Sequence, residues 1–373
     1  MTTTLRVVLD QLVTPTDPHL ETASRELAAA LIQTCPTGCD VAAIVPSGTD
    51  DLAMPGLAEV HRLGLGRREL AAAWQIGMPV GAPGGLVHAP TLLAPLVRHD
   101  RLHDNDQTVV TLWDLDPWAS PSGIPRTSVA WHRAMLKRAE KHADAVVVPT
   151  HAMAERLAEL TRLGARIRVI AGAAPAAFAV PVDAVGRRRT LGVPEGCVVC
   201  SGDAGAPSAL GTAFAAVVRG HPDLPVVVLD APEEHMPEIA GLAVAAGLRD
   251  GQVHVRGRLA AADRAAVLDA ALAFVAPSRR STFPWRVVEA LRLGVPVVAV
   301  ASPDHRETIV DGGLVVGETH SADADVDVLA EALQRALAST DAADRLGVLA
   351  ADRGRAFSWH EAADRVWQLH AEL

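Results

Sequence analysis

FVAPSRRSTFPWRVVEALRLGVPVVAV, residues Phe274–Val300, decides how the chain is read. It begins as a short apolar strand, Phe274–Ala276, and passes through a Pro-Ser turn and a polar loop. A helix then runs to Gly294, and Val295–Val300 is a second buried strand. A strand–loop–helix–strand unit places its loop at the carboxyl edge of a parallel sheet, where α/β proteins take their ligands. The helix carries one acid, Glu289, among mostly apolar residues, and Ser281 stands eight positions before it.

The same rhythm extends in both directions. Leu5–Leu9, a helix over Leu20–Gln33 and Val41–Val45 open the chain as β-α-β, the mark of a parallel sheet. Leu86–Ala89, Thr108–Leu112, Ala145–Val148 and Ile167–Ile170 read as further strands, and Thr127–His142 and Ala152–Leu160 as helices, the latter with Thr150 as its cap. Residues 172–192 contain Pro175, Pro181 and the run Arg187-Arg188-Arg189, and read as a linker whose arginines form a solvated face. Beyond it Val198–Cys200, Val226–Leu229 and Val253–Val255 are strands with helices between them, and Trp359–Ala371 is a terminal helix. Two Rossmann-like halves are therefore expected.

Bulk properties narrow the function. At 373 residues and 49% hydrophobic, the chain has enough apolar surface for two cores. A net charge of -10 argues against a nucleic-acid or anionic-membrane partner for the chain as a whole. The start, MTTTLRVVLDQLV, lacks the basic and long apolar regions of a signal peptide, and no stretch is long enough for a membrane span, so a cytosolic protein is expected. Cys35/Cys39 and Cys197/Cys200 lie too far apart to suggest a zinc site and read as small buried residues plus a loop thiol. His99 and His103, with Asp100, Asp104 and Asp106, have ligand-like spacing but no chemistry that needs them, and read as a solvated loop.

The order of the segments resembles that of the retaining family-4 glycosyltransferases over nearly the whole chain. The matching pieces are His88-Ala89-Pro90, Val109–Leu115 (VVTLWDL), Asp144–Thr150 (DAVVVPT), Val253–Arg258 (VHVRGR), Ala276-Pro277-Ser278, Val288–Ala299 (VEALRLGVPVVA) and Phe357-Ser358-Trp359. The resemblance implies a GT-B fold, in which two Rossmann-like domains face each other across a cleft. Residues 1–171 would be the acceptor-side domain, 172–192 the linker, 193–357 the nucleotide-sugar-side domain, and 358–373 a helix crossing back onto the first domain. It also implies a nucleotide-sugar donor, UDP- or GDP-hexose, with no metal required and an acceptor that the sequence does not name. Location would be cytoplasmic or peripheral to the inner face of the membrane, with another glycosyltransferase or a second copy of the chain as the partner.

Within that resemblance, Glu289 is the second acid of the family's E-x7-E motif and would hold the ribose. Ser278, Gly257 and Arg258 would frame the base. The set departs from the family at several positions. Ser281 stands where the first acid is expected, and Trp113 where the family has a histidine, so no catalytic residue is assigned. Pro207 and Ser208, in the turn Gly202–Ser208, fall where diphosphate-gripping cations are expected, and Thr14–His19 replaces a glycine-rich turn. Losing two charged contacts of about 1.5–3 kcal/mol each costs about 3–6 kcal/mol, on the order of a hundred- to ten-thousand-fold in affinity or rate. Arg279 and Arg280, with Arg258 and Arg306, are the candidates to replace those cations; the alternative for each is an exposed side chain. Two functions follow: hexosyl transfer with retention, or a catalytically inactive relative acting as a binding or partner subunit. No motif favours a GT-B epimerase or phosphorylase.

Overall fold

The computed structural model describes residues 2–48, 52–100, 103–122, 124–202, 207–317 and 322–373. Two compact units divide the chain: residues 1–176 with 358–373, and residues 177–357. Each is built on a parallel sheet. In the first unit the strands are β1 (Thr3–Val8), β2 (Cys39–Val45), β3 (Glu59–Arg62), β4 (Leu86–Ala89), β5 (Gln107–Thr111), β6 (Ala145–Val148) and β7 (Ile167–Val169). Their order across the sheet is β3-β2-β1-β4-β5-β6-β7. In the second they are β8 (Cys197–Ser201), β9 (Val226–Leu229), β10 (Val253–Val255), β11 (Ala271–Ala276), β12 (Val297–Val300) and β13 (Gly313–Val316), ordered β10-β9-β8-β11-β12-β13. Both orders reverse direction beside the unit's first strand, the doubly wound pattern of dinucleotide-type folds.

The strand sequences explain the architecture. β4, β6, β8, β9 and β12 are buried at every residue, as strands covered by helices on both faces must be. Val8, Ile44, Trp74, Leu93, Val110 and Val146 belong to the core of the first unit; Val198, Phe214, Val228, Ile239, Val275 and Val298 belong to that of the second. β3 is an edge strand with a polar sequence, Glu-Val-His-Arg, and so carries no apolar pattern from which it could be read.

The segment expected to be a linker contains a helix, Ala184–Leu191, ended by Gly192 in the left-handed conformation (φ 60°). Its arginine run is not a uniformly solvated face. Arg188 is buried, and its guanidinium donates to Asp269 (2.9 Å) and Glu195 (3.1 Å). Arg187 pairs with Asp183 and Asp263, each at 2.8 Å.

In the second unit the helices Trp285–Arg292 and Thr340–Gly354 cross at glycines. A Cβ on Gly347 would lie 2.8 Å from the Gly294 carbonyl oxygen, and one on Gly354 would lie 2.6 Å from that of Leu291. Backbone therefore rests directly on backbone behind the Glu289 helix.

The terminal helix, Trp359–Glu372, is capped by Ser358 and packs on the helix Pro18–Gln33 of the first unit. Trp367 Nε1 donates to the Leu31 carbonyl at 3.2 Å. Gln107 Nε2 donates to the His370 carbonyl (3.2 Å), while its Oε1 accepts from His370 Nδ1 (2.9 Å). The His370 ring meets His88 edge-on, with centroids 5.6 Å apart. Both imidazoles are buried. Burial holds His88 well below its ordinary value of 6.5 and pushes His370 down to about 4. His99 is raised, because its Nε2 donates to Asp144 at 2.8 Å.

These histidines set opposite pH limits on the first unit. Below pH 6.5 the unfolded chain takes up protons that His88 and His370 refuse, so stability falls on acidification. For His370, the drop to about 4 amounts to about 3 kcal/mol by pH 4. The His99 contribution is complete below 6.5 and is lost as pH rises through its raised value. Urea unfolding across this range is expected to show a histidine-linked stability maximum near 6.5, and His370→Gln is expected to flatten the acid limb.

Candidate functional site

In the second unit the sheet order reverses between β8 and β11, and the loops at their carboxyl ends define the site. After β8 the chain leaves through Gly202, whose N–H donates to the Leu229 carbonyl at 2.7 Å. A Cβ there would lie 3.1 Å from the Ala231 Cα, so glycine suits this exit. The rest of the expected diphosphate turn, residues 203–206, and the side chains of Pro207 and Ser208 lie outside the described residues.

After β11 come Pro277 and Ser278, and the Ser278 hydroxyl accepts the Arg280 N–H at 3.3 Å. The loop ends on Phe283, which is buried and meets Trp285 and Phe357 edge-on at 4.7 and 6.3 Å between centroids. This aromatic group fixes the start of the Trp285–Arg292 helix, which has no side-chain cap. Six of its eight residues are buried, Arg286 and Glu289 among them.

Glu289 is buried and paired within the unit. Its side chain is 4% exposed and both of its oxygens are taken. Arg264 donates Nη2 to Oε1 (2.7 Å) and Nε to Oε2 (3.1 Å), and Arg286 donates Nη1 to Oε1 (2.8 Å). Arg286 also forks onto Asp230, from Nε at 2.6 Å and Nη2 at 3.1 Å. Asp230 follows β9 with φ of 56°, a left-handed conformation that aspartate tolerates better than most residues. The third nitrogen of Arg264, Nη1, donates to the Leu259 carbonyl (2.7 Å), and the guanidinium lies over the Phe178 ring, 5.8 Å from its centroid. Two acids and two arginines thus close a neutral buried network. The ribose role implied for Glu289 meets a carboxylate already occupied in this conformation.

The other expected residues are distributed along the same sheet edge. Gly257 and exposed Arg258 follow β10, three strands from β11, a separation of about 14 Å at the usual strand spacing. Arg279 donates to the Ala301 carbonyl (2.7 Å) and to Asp325 (2.6 Å), so its charge is already countered. Arg280 and Ser281 are half-buried in the loop, and Arg306 is exposed. Trp113 belongs to the first unit and is a packing anchor there. Its Nε1 donates to the Pro90 carbonyl at 2.8 Å, and its ring meets Trp359 of the terminal helix at 6.2 Å. At the carboxyl end of β1, Asp10 is fully buried and accepts from Gln11 (2.7 Å) and Arg67 (2.7 Å); burial raises its carboxyl. Gln11 in turn accepts from the Thr16 N–H and hydroxyl, at 2.9 and 3.0 Å, which builds the turn that replaces the expected glycines.

Elsewhere, His99 pairs with Asp144 and His103 with Asp100, each at 2.8 Å, so neither histidine faces an open ligand set. Cys197 and Cys200 are buried thiols pushed up to about 11 and about 12, far from reactive. Sequence reasoning missed Asp230, Arg264 and Arg286. The legible signal was Arg286 itself, a cation three residues before Glu289 on an otherwise apolar helix, which is the spacing for an intrahelical pair.

Residues 209–339 match the family described as Glycosyl transferases group 1. Among solved structures, the chain is similar to sucrose-phosphate synthase from Thermosynechococcus elongatus, with a TM-score of 0.72, 22% identity, and 99% of this chain and 98% of that one covered. It is also similar to Anabaena HepE in complex with UDP and glucose, with a TM-score of 0.74, 17% identity, and 100% of both chains covered. WaaG, a glycosyltransferase involved in lipopolysaccharide biosynthesis, matches with a TM-score of 0.67, 14% identity, and 97% of this chain and 98% of that one covered. No curated protein matches in sequence. At these identities the likeness is one of fold: two parallel-sheet α/β units with a helical C-terminus, as in GT-B glycosyltransferases.

Glu289→Ala leaves Arg264 and Arg286 without their shared acid. It is expected to destabilise the second unit by about 3–5 kcal/mol, whereas Arg258→Ala, at an exposed position, is expected to change it by less than about 0.5 kcal/mol. Urea denaturation of the two variants beside the parent chain checks both.

Proposed function

We propose that this chain is a nucleotide-sugar-dependent hexosyltransferase of the retaining family-4 type, using a UDP- or GDP-hexose. The observation that supports it is the second unit: a doubly wound sheet whose carboxyl-edge loops lie mostly within the residues matching group 1 glycosyltransferases. HepE has been seen in complex with UDP and glucose and in complex with UDP-glucose, which is consistent with a nucleotide sugar here. Ser278, Gly257 and Arg258 contact the base in this reading. Arg280 contributes charge near the diphosphate, with Arg279 doing so only if it exchanges Asp325 for the donor. Glu289 reaches the ribose only after Arg264 or Arg286 releases it. A metal is not required, because loop N–H groups and arginines supply the positive field for the leaving diphosphate.

One observation favours a second reading, a catalytically inactive relative serving as a binding or partner subunit for another glycosyltransferase. The acid expected to hold the ribose is buried between two arginines, and Ser281 stands where the first acid of the motif belongs. Breaking a buried charge pair to admit a ligand costs several kcal/mol, about the size of the binding energy that a ribose contact returns.

Titration calorimetry with UDP-, GDP- and ADP-sugars separates the two. The transferase reading expects micromolar binding of one donor and release of its nucleoside diphosphate with an acceptor, the anomeric configuration being retained. If the whole panel gives no heat, but Ser281→Glu with cations placed at positions 207 and 208 creates donor binding, the inactive reading stands.

A further inference from the structure

One buried imidazole at the carboxyl edge of the second sheet has no part in the function proposed above. His305 belongs to the helix Pro303–Ile309, which follows β12, and it keeps 6% exposure. The turn that leads to it is fixed at three successive residues. His305 Nδ1 donates to the Val300 carbonyl (2.8 Å), and Arg279 Nη1 donates to the Ala301 carbonyl (2.7 Å). The Ser302 hydroxyl accepts the His305 N–H at 3.0 Å. β12 lies beside β11, whose loop carries Arg279, so imidazole and guanidinium are anchored on adjacent residues of one turn.

This geometry sets the tautomer. A carbonyl only accepts, so the ring proton sits on Nδ1 and Nε2 is left as an acceptor. Among the described residues, none donates to Nε2. Burial, helped by the Arg279 charge, holds the ring below its ordinary value of 6.5 and so in the neutral form that an acceptor needs. The carboxylates nearby are already engaged. Asp325 accepts from Arg279 at 2.6 Å, and Glu289 accepts from Arg264 and Arg286.

We propose that His305 is a specificity-determining residue of the donor site, its Nε2 accepting a hydrogen bond from a hydroxyl of the hexose. The inference rests on the nucleotide-sugar reading and extends it from the nucleotide to the sugar. In the donor a charged phosphate is joined directly to a ring of hydroxyl groups. At this turn a cation, Arg279, is likewise placed directly beside a neutral acceptor. Once Arg279 exchanges Asp325 for the diphosphate, the hexose next to that diphosphate meets the imidazole. A hydroxyl can donate to Nε2, whereas a phosphate oxygen cannot, so the residue reads the sugar and not the nucleotide.

The test is calorimetry of the full chain with UDP beside UDP-glucose and GDP beside GDP-mannose. The parent is expected to bind one nucleotide sugar at least about five-fold more tightly than its free nucleotide. His305→Phe keeps a planar ring without the acceptor. It is expected to lose that preference, about five- to ten-fold, and to bind the free nucleotide as the parent does. His305→Gln, which brings back an acceptor, is expected to recover part of it. A sugar preference that survives His305→Phe overturns the proposal and leaves the nucleotide-sugar reading standing. Equal loss of sugar nucleotide and free nucleotide in a folded variant marks a structural residue and overturns it as well. If His305→Phe does not fold, monodeoxy analogues of the preferred sugar nucleotide decide on the parent chain, and the absence of any hydroxyl worth about five-fold overturns the proposal. A parent that binds no nucleotide at all overturns both readings.

Discussion

The second unit depends on one buried charge arrangement, Asp230–Arg286–Glu289–Arg264. Its members come from the end of β9, from the Trp285–Arg292 helix and from the helix Ala261–Asp269, so it ties three separate segments to the carboxyl edge of the sheet. Burying four charges is tolerable because they sum to zero and their donors are largely matched to acceptors. Any residue removed from the set leaves a charge with no water to turn to. The network thereby fixes the position of the Trp285–Arg292 helix and withdraws that helix's acid from the surface.

The first unit solves a similar problem with neutral groups. His88 and His370 are kept uncharged inside it, and Gln107 answers both the carbonyl and the Nδ1 of His370. Trp113, just past β5, is a packing residue: its indole has a single N–H donor, given to the Pro90 carbonyl, and a large apolar face, which it lays against Trp359. The strand end becomes part of the seat of the terminal helix.

Much of the fold was legible because buried parallel strands read as unbroken apolar runs and their helices as 3.6-residue patterns. What escaped reading was polar or short. β3 is an exposed edge, and the seven-residue helix Pro303–Ile309 is too brief to show a period, though Ser302 and Pro303 are a cap and first-turn signal. Arg188 sat in a run that looked solvated, because sequence does not say which of three adjacent arginines meets Asp269. The candidate site was located by the Glu289 motif, but the pairing of that residue was not foreseeable. Arg264 lies 25 positions away and Asp230 lies 59, and only the sheet order brings them together.

The contact between Trp113 and Trp359 has an optical consequence. The chain contains no tyrosine and seven tryptophans, so its ultraviolet emission arises from indoles alone. Two of them, Trp359 and Trp367, are buried on the terminal helix, and a third, Trp113, is covered by it. Departure of that helix from its seat would bring up to three of the seven chromophores into water and move the emission to longer wavelength. The protein therefore carries a built-in fluorescent gauge of whether its last fourteen-residue helix is docked.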